Sequence, residues 1–123
     1  MYSLFVILLN NCSYSISAKE LLDSNKIKYK VINIAYEDRD KYITSEIDTF
    51  PQIYLINKTT KTTLLLGGYS DLKYFYDLFI INNKYFKNNN KYLKINDENY
   101  KIFLSKYKLW TKKSLLRLVD IFQ

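Results

Sequence analysis

The chain has 123 residues and a net charge of +7, which is the size of one domain or of one small domain with an appendage. It contains one cysteine and no histidine, which excludes an internal disulfide and argues against a protein-built zinc or copper site and against catalysis by a histidine base. No segment approaches the roughly 20 apolar residues that span a bilayer, and the start Met1-Tyr2-Ser3 lacks the basic residues of a signal peptide.

The first part of the chain alternates strand-like and helix-like patterns. Residues 4–9 form a continuous apolar run, typical of a parallel strand covered on both faces. Residues 13–25 place their apolar side chains largely on one side of a helix. A second strand is predicted over residues 29–34. A second helix is predicted over residues 38–47, with Asp38 as its N-cap.

A hairpin and a third helix follow. Residues 50–56 and 62–66 are apolar runs joined by the polar loop 57–61, which predicts a β-hairpin. Residues 70–81 carry an apolar stripe with the period of an α-helix. The predicted order is therefore βαβαββα.

The C-terminal third differs from the rest in charge. Residues 1–83 hold nine basic and nine acidic residues, whereas residues 84–123 hold ten basic and three acidic residues. Residues 84–91 are polar and linker-like, and the spacing of apolar residues after them indicates one or two amphipathic helices. We therefore predict a domain over residues 1–83 and a basic, helical extension over residues 84–123.

Cys12 lies between the first predicted strand and the first predicted helix. A helix N-terminus offers free backbone N–H groups and the positive end of the helix dipole, and both stabilise a thiolate. A lone cysteine more often packs as a small apolar side chain. The local pattern alone leaves both interpretations open.

Three short motifs decide between them. Residues 12–15 read Cys-Ser-Tyr-Ser, residues 49–51 read Thr-Phe-Pro, and residues 67–71 read Gly-Gly-Tyr-Ser-Asp. In this order and spacing they resemble glutaredoxin, whose pattern is Cys-x-x-Cys or Cys-x-x-Ser, then Thr-Val-Pro, then Gly-Gly-x-x-Asp. The resemblance covers about residues 4–83. It implies an α/β, thioredoxin-like fold, a mixed four-stranded sheet with helices on both faces.

The resemblance also assigns roles to residues. Cys12 is the expected nucleophile, and Ser15, which replaces the second cysteine of dithiol members, is expected to support the thiolate through its hydroxyl. Tyr69 and Ser70 would bind glutathione through their backbone, and Asp71 would bind its amine. The expected glutathione-binding residues are Tyr14, Phe50, Pro51, Tyr69, Ser70 and Asp71, with a cis bond between Phe50 and Pro51. Each also has an ordinary structural interpretation, as a helix residue, an exposed aromatic, a trans proline or a capped turn.

Two positions depart from the family pattern. Leu9 stands where many glutaredoxins have a lysine that helps to hold the glycyl carboxylate of glutathione, and Ser13 replaces the common proline. Loss of the lysine predicts weaker glutathione binding and a less stabilised thiolate, unless Arg39, Lys41 or a lysine of the extension folds over the site.

The favoured function is a glutathione-dependent thiol–disulfide oxidoreductase that acts by a monothiol mechanism on protein–glutathione mixed disulfides in the reducing cytoplasm. One alternative is an iron–sulfur protein in which Cys12 and glutathione hold a cluster across a dimer, but Ser13 and Tyr14 depart from the usual Cys-Gly-Phe-Ser motif. Another is a structural or packaging component whose residues 84–123 dock nucleic acid or an acidic partner. The residue usage suggests AT-rich coding, as in large cytoplasmic DNA viruses, so packaging in a virus particle is a further hypothesis.

Overall fold

The structure is a computed structural model that describes residues 1–81 and 97–123. These residues form two compact units, Met1–Leu72 and Lys73–Gln123. The predicted linker-like residues 84–91 and the predicted boundary between residues 83 and 84 lie outside the described residues. No helix in the described part of the chain is long and apolar enough to cross a membrane.

The first unit is built on a mixed four-stranded sheet of the thioredoxin-like type, as predicted. The strand order is β2-β1-β3-β4. Strand β1 pairs in parallel with β2, and the β1–β3 and β3–β4 pairs are antiparallel. The strands are β1 (Tyr2–Leu9), β2 (Lys30–Ile34), β3 (Gln52–Asn57) and β4 (Thr63–Gly67).

The apolar run of β1 supplies both faces of the sheet, because side chains alternate along a strand. On one face Leu4, Val6 and Leu8 are all buried. On the other face Ile7 belongs to a buried cluster with Ile34 and Phe50. Because both faces of this central strand are buried, its consecutive residues are nearly all hydrophobic, as the sequence shows.

Helix α1, Ser13–Ser24, begins where the sequence predicted. It contacts β1 and buries Ala18 and Leu22 completely. An i,i+4 ion pair between Lys19 and Asp23 lies on its exposed side. The helix therefore fixes the position of its first residues relative to the end of β1.

The predicted helix over residues 38–47, with Asp38 as its N-cap, is wrong. The chain instead forms a 3₁₀ helix over Tyr36–Tyr42, and its N-cap is Ala35. No helix of the described residues covers 43–51, which connect to β3 without regular structure.

Local hydrogen bonds explain the missing helix. The Thr44 hydroxyl accepts from the backbone N–H groups of Glu46 (3.2 Å) and Ile47 (3.1 Å). The Thr44 N–H donates to the Ile47 carbonyl at 2.9 Å. Threonine side chains offer the backbone this alternative to helical bonding. The segment turns back on itself here and leaves Ile43 40% exposed.

The second unit is helical. Helix α2, Tyr69–Phe75, begins in the last residues of the first unit and passes into a π-helical turn over Tyr76–Ile81, where the sequence predicted one continuous helix. Helices α3, Asp97–Lys106, and α4, Lys112–Phe122, confirm that the C-terminal region contains amphipathic helices. Thr111 and Ser114 form a capping box that begins α4.

Aromatic side chains form the core of this second unit. Phe103 is fully buried at its centre, with ring centroids 5.5 Å from Phe79 and 5.8 Å from Trp110. Phe75 and Phe122 pack edge-to-face at 5.0 Å. Such pairs stabilise a core beyond their buried area, so the aromatic-rich composition is used here mainly for packing.

Candidate active site around Cys12

Cys12 lies at the end of a tight turn between β1 and α1. The Asn10 N–H donates to the Ile34 carbonyl at 2.9 Å, and the Cys12 N–H donates to the Leu9 carbonyl at 3.3 Å. Asn11 between them has a φ of 61°, a left-handed conformation that asparagine tolerates well. The turn thus places Cys12 at the N-cap position of α1.

The Cys12 side chain does not cap its own helix and is only partly buried. Its Sγ–H group donates to the Phe50 carbonyl oxygen at 3.8 Å. The Phe50–Pro51 peptide bond is cis, as the sequence resemblance suggested. The thiol is therefore accessible at a helix start and adjoins the backbone that precedes β3.

Ser15 is buried in the first turn of α1, with 2% of its surface exposed. Its Oγ accepts a hydrogen bond from the Leu9 N–H at 3.0 Å. The described residues show no hydrogen bond between Ser15 and Cys12. A hydroxyl still has one O–H to donate after accepting, so the expected thiolate-supporting role of Ser15 stays a prediction beside this observed bond.

A cleft of about 520 Å³ lies next to Phe50 in the first unit. It brings together Tyr14, Phe50, Tyr69, Ser70 and Asp71, which are five of the residues expected to bind glutathione. The rings of Tyr14 and Tyr69 approach each other with centroids 6.3 Å apart. Cys12 and Ser15 are not among the lining residues.

Pro51 is the one expected glutathione-binding residue that does not line the cleft. A Cβ added to Gly68 would be 3.6 Å from the Pro51 carbonyl oxygen, an ordinary contact distance. The segment that follows β4 therefore runs beside the cis-proline segment. This places the second and third sequence motifs next to each other.

The glycine pair has a conformational and a steric role. Gly67 has a φ of +136°, which side chains of L residues rarely adopt, and a Cβ there would overlap the Asp71 carboxylate. The Gly68 N–H donates to Asp71 Oδ2 at 2.9 Å. The Asp71 carboxylate thus holds the start of α2 through this hydrogen bond.

Sequence reasoning missed two carboxylates of the cleft. Glu46 and Asp48 line it together with Asp71, and no lysine or arginine among the described residues does so. The pKa of Tyr54 is raised, mainly because burial disfavours the phenolate and also because the Glu46 charge lies nearby. Glu46 lies in the segment 38–47 that was predicted as helix, and Asp48 follows that segment directly, so the sequence pattern did not indicate that either carboxylate lines the cleft.

Arg39 and Lys41, the two basic residues of the first unit that Sequence analysis considered for the site, interact with other side chains. The Arg39 Cζ stacks 4.0 Å from the centre of the Tyr36 ring, and its Nε lies 3.8 Å from Asp40. Lys41 is paired with Asp38 at 3.0 Å. Neither basic residue lines the cleft.

Gln52 is a second feature that the sequence did not reveal. It is fully buried, donates from Nε2 to the Tyr42 carbonyl at 2.8 Å, and accepts from the Tyr54 hydroxyl at 2.9 Å. Burying an amide costs free energy unless its polar atoms form hydrogen bonds. Both the Nε2 and the Oε1 of Gln52 form one. Gln52 therefore links the end of the 3₁₀ helix to β3, the strand that begins directly after Pro51.

Residues 1–59 match the glutaredoxin family model. The structure is similar to the crystal structure of glutaredoxin 1 from Francisella tularensis complexed with cacodylate, with 24% sequence identity and a TM-score of 0.49, over 63% of this chain and 94% of that chain. No curated protein sequence matches the chain.

Proposed function

Because residues 1–59 match the model of the glutaredoxin family, whose members are thiol–disulfide oxidoreductases, we propose that this chain reduces protein–glutathione mixed disulfides by a monothiol mechanism. Cys12 is the nucleophile, glutathione is the co-substrate, and the site works in a reducing compartment. The finer assignment is supported by the position of Cys12, which is accessible at the start of α1 and adjoins the cleft through Phe50.

The reaction is a pair of thiol–disulfide exchanges. The Cys12 thiolate attacks the glutathione sulfur of the mixed disulfide, the bond between that sulfur and the substrate sulfur breaks, and the substrate leaves as a thiolate that takes a proton from solvent. A second glutathione thiolate then attacks the glutathione sulfur attached to Cys12. Oxidised glutathione leaves, and Cys12 is restored. No second cysteine is required, and the chain has none.

We assign the contacts that such a cycle needs to residues of the cleft and to Phe50. The backbone of Tyr69 and Ser70 at the start of α2 is assigned to the γ-glutamyl carboxylate, and Asp71 to the amine. The Phe50 carbonyl, which accepts from the Cys12 thiol at 3.8 Å, is released when the thiol ionises and becomes available to the cysteinyl N–H of glutathione. Tyr14 is assigned to the side of the bound tripeptide.

Steady-state reduction of a glutathionylated peptide by glutathione tests this proposal. We expect turnover with the native protein and none above the uncatalysed rate with Cys12→Ser. Ser13→Ala, an exposed change in the same helical turn, is the matched control and should retain activity. Equal rates for the native protein and Cys12→Ser would contradict the proposal.

A further inference from the structure

Strand β2 lies at one end of the sheet and exposes one side of its backbone. It pairs with β1, and no strand among the described residues pairs with its other side. Four of its five residues are exposed, including Val31 (42%) and Ile32 (37%). Unpaired N–H and C=O groups along such an edge can pair with a strand of another chain.

The features that usually protect an edge strand are absent from the middle of β2. Its pairing with β1 is continuous from Lys30 to Ile34, without a bulge. The central residues Val31-Ile32-Asn33 contain no proline and no charge. Two of them are β-branched and favour extended backbone. Short charged or proline-containing edges resist pairing, whereas this edge does not.

The backbone groups on the free side of β2 belong to Val31 and Asn33. The Ile34 carbonyl accepts from the N–H of Asn10, directly after β1, at 2.9 Å, so the backbone groups of Ile34 face β1. The N–H and C=O of one strand residue point to the same side, and the side alternates from residue to residue. Val31 and Asn33 therefore present their N–H and C=O groups to the free edge.

The charges around β2 differ between its two ends. Three exposed lysines without an ion-pair partner among the described residues lie before or at its start, namely Lys26, Lys28 and Lys30. Glu37 follows its end and is likewise exposed and without an ion-pair partner there. The other two carboxylates of that end, Asp38 and Asp40, have basic neighbours.

This charge pattern is complementary to itself in one orientation. When two copies of β2 run antiparallel, the lysines of one copy meet Glu37 of the other. When they run parallel, the lysines of both copies lie side by side and repel one another. Complementary charges fix the orientation and register of an interface, so the pattern favours an antiparallel pair.

We propose that β2 is a docking surface for a second copy of this chain, with the two strands antiparallel about a two-fold axis at Ile32. This register places Val31 opposite Asn33 of the other copy, so every outward-facing backbone group of both strands is hydrogen-bonded. A shift of the axis to Val31 or Asn33 would pair one of them with a residue outside β2. A patch that is complementary to itself closes as a dimer.

The same register brings specific side chains together. Ile32 lies opposite Ile32 of the other copy, so apolar surface that is exposed in the single chain is covered. Lys28 lies opposite Tyr36 of the other copy and next to its Glu37. Because five-residue strands bury less surface than a stable interface needs, we expect weak association, with a Kd on the order of 100 μM.

Sedimentation velocity of the native protein over a range of concentrations measures this association. A phosphine reductant keeps Cys12, the sole cysteine, from forming an intermolecular disulfide. Ile32→Lys places two like charges opposite each other and should weaken the dimer about tenfold or more. Ile43→Lys makes the same change at a position that is 40% exposed and outside the strand, and it should leave the association unchanged.

Charge reversal tests the orientation of the two strands. Lys28→Glu places carboxylates together at both ends of the interface, and Glu37→Lys does the same with ammonium groups. Each single variant should weaken the dimer about three- to tenfold at low salt. The double variant, Lys28→Glu with Glu37→Lys, has the native net charge and should restore the native Kd. All three changes are at exposed positions outside β2, so they leave its pairing with β1 intact.

The outcomes decide the proposal without reference to the chemistry of Cys12. A concentration-dependent dimer that Ile32→Lys weakens and the double reversal restores supports it. A native protein that remains monomeric at every concentration would overturn it. So would a dimer that Ile32→Lys and Ile43→Lys affect equally, or a double reversal no tighter than either single variant.

Discussion

The Ser15 hydroxyl oxygen lies 3.0 Å from the Leu9 backbone nitrogen and accepts its hydrogen bond, which links the first turn of α1 to the last residue of β1. The bond spans the turn that carries Cys12. It gives the buried Ser15 a structural role that is independent of any contact with the thiolate.

Replacing Ser15 by alanine should therefore destabilise the protein. The change leaves the Leu9 N–H without its acceptor in a partly buried environment, which costs about 1–3 kcal/mol of unfolding free energy. Urea denaturation measures the loss. Ser13→Ala in the same turn should have little effect, and equal stability of the two variants would show that the bond contributes nothing.

A lysine at position 9 should make Cys12 more reactive. The Leu9 side chain packs against the cluster that contains Phe50, whose carbonyl contacts Cys12 Sγ. The lysine stem can keep part of this apolar contact while the ammonium reaches solvent, and a nearby cation stabilises the thiolate.

We expect Leu9→Lys to increase the rate of alkylation of Cys12 by iodoacetamide at neutral pH about three- to tenfold. Leu9→Met preserves the apolar character of the position and is the control. If both variants react at the native rate, position 9 does not influence the thiol.

The two glycines should respond differently to alanine. In Gly67→Ala the new Cβ overlaps the Asp71 carboxylate at a positive φ, so the Gly68–Asp71 hydrogen bond and the start of α2 must shift. We expect Gly67→Ala to lower the free energy of unfolding by about 2 kcal/mol or more.

In Gly68→Ala the new Cβ makes only an ordinary contact with Pro51, at 3.6 Å. Gly68→Ala should therefore lower the free energy of unfolding by less than about 1 kcal/mol. Denaturant unfolding of both variants checks the order of stability, and a Gly68→Ala variant that is the less stable of the two would contradict the geometry.

The Tyr29 hydroxyl should titrate at unusually high pH. Burial, its hydrogen bond to Asp23 (2.7 Å) and the Asp23 charge raise the pKa of Tyr29 to about 12. The folded protein thus favours the protonated phenol. The stability contributed by Tyr29 is fully present below pH 10 and is lost as the pH rises from there through about 12.

A difference titration of near-ultraviolet absorbance, native minus Tyr29→Phe, isolates this group from the other tyrosines. In Asp23→Asn the pKa should move down but stay above the ordinary value of 10, because burial is the largest cause of the shift. A Tyr29 titration at the ordinary value in the native protein would contradict this environment.

Patterns of neighbouring residues in the sequence were sufficient to predict much of the fold. The apolar run of β1, the helix that starts after Cys12 and the glycine pair before α2 each depend on neighbouring residues, and all three are where the sequence placed them. The helix predicted over residues 38–47 failed because Thr44 bonds to the backbone of Glu46 and Ile47. That competition is decided by side-chain geometry and not by apolar spacing.

The residues of the candidate site were likewise predictable from the sequence only in part. The residues of the three motifs were identifiable because their spacing is distinctive. Glu46 and Asp48 reach the cleft only because the chain between the 3₁₀ helix and β3 is irregular, and the bonds of Gln52 to Tyr42 and Tyr54 join parts of the chain whose pairing no local pattern specifies.

The most direct test of the monothiol mechanism identifies which half of a mixed disulfide remains on Cys12. The native protein is mixed with a glutathionylated peptide in the absence of free glutathione and examined by intact-protein mass spectrometry. The account predicts a glutathione adduct on Cys12 and release of the peptide as a free thiol. A peptide adduct with release of glutathione, or no adduct at all, would contradict it.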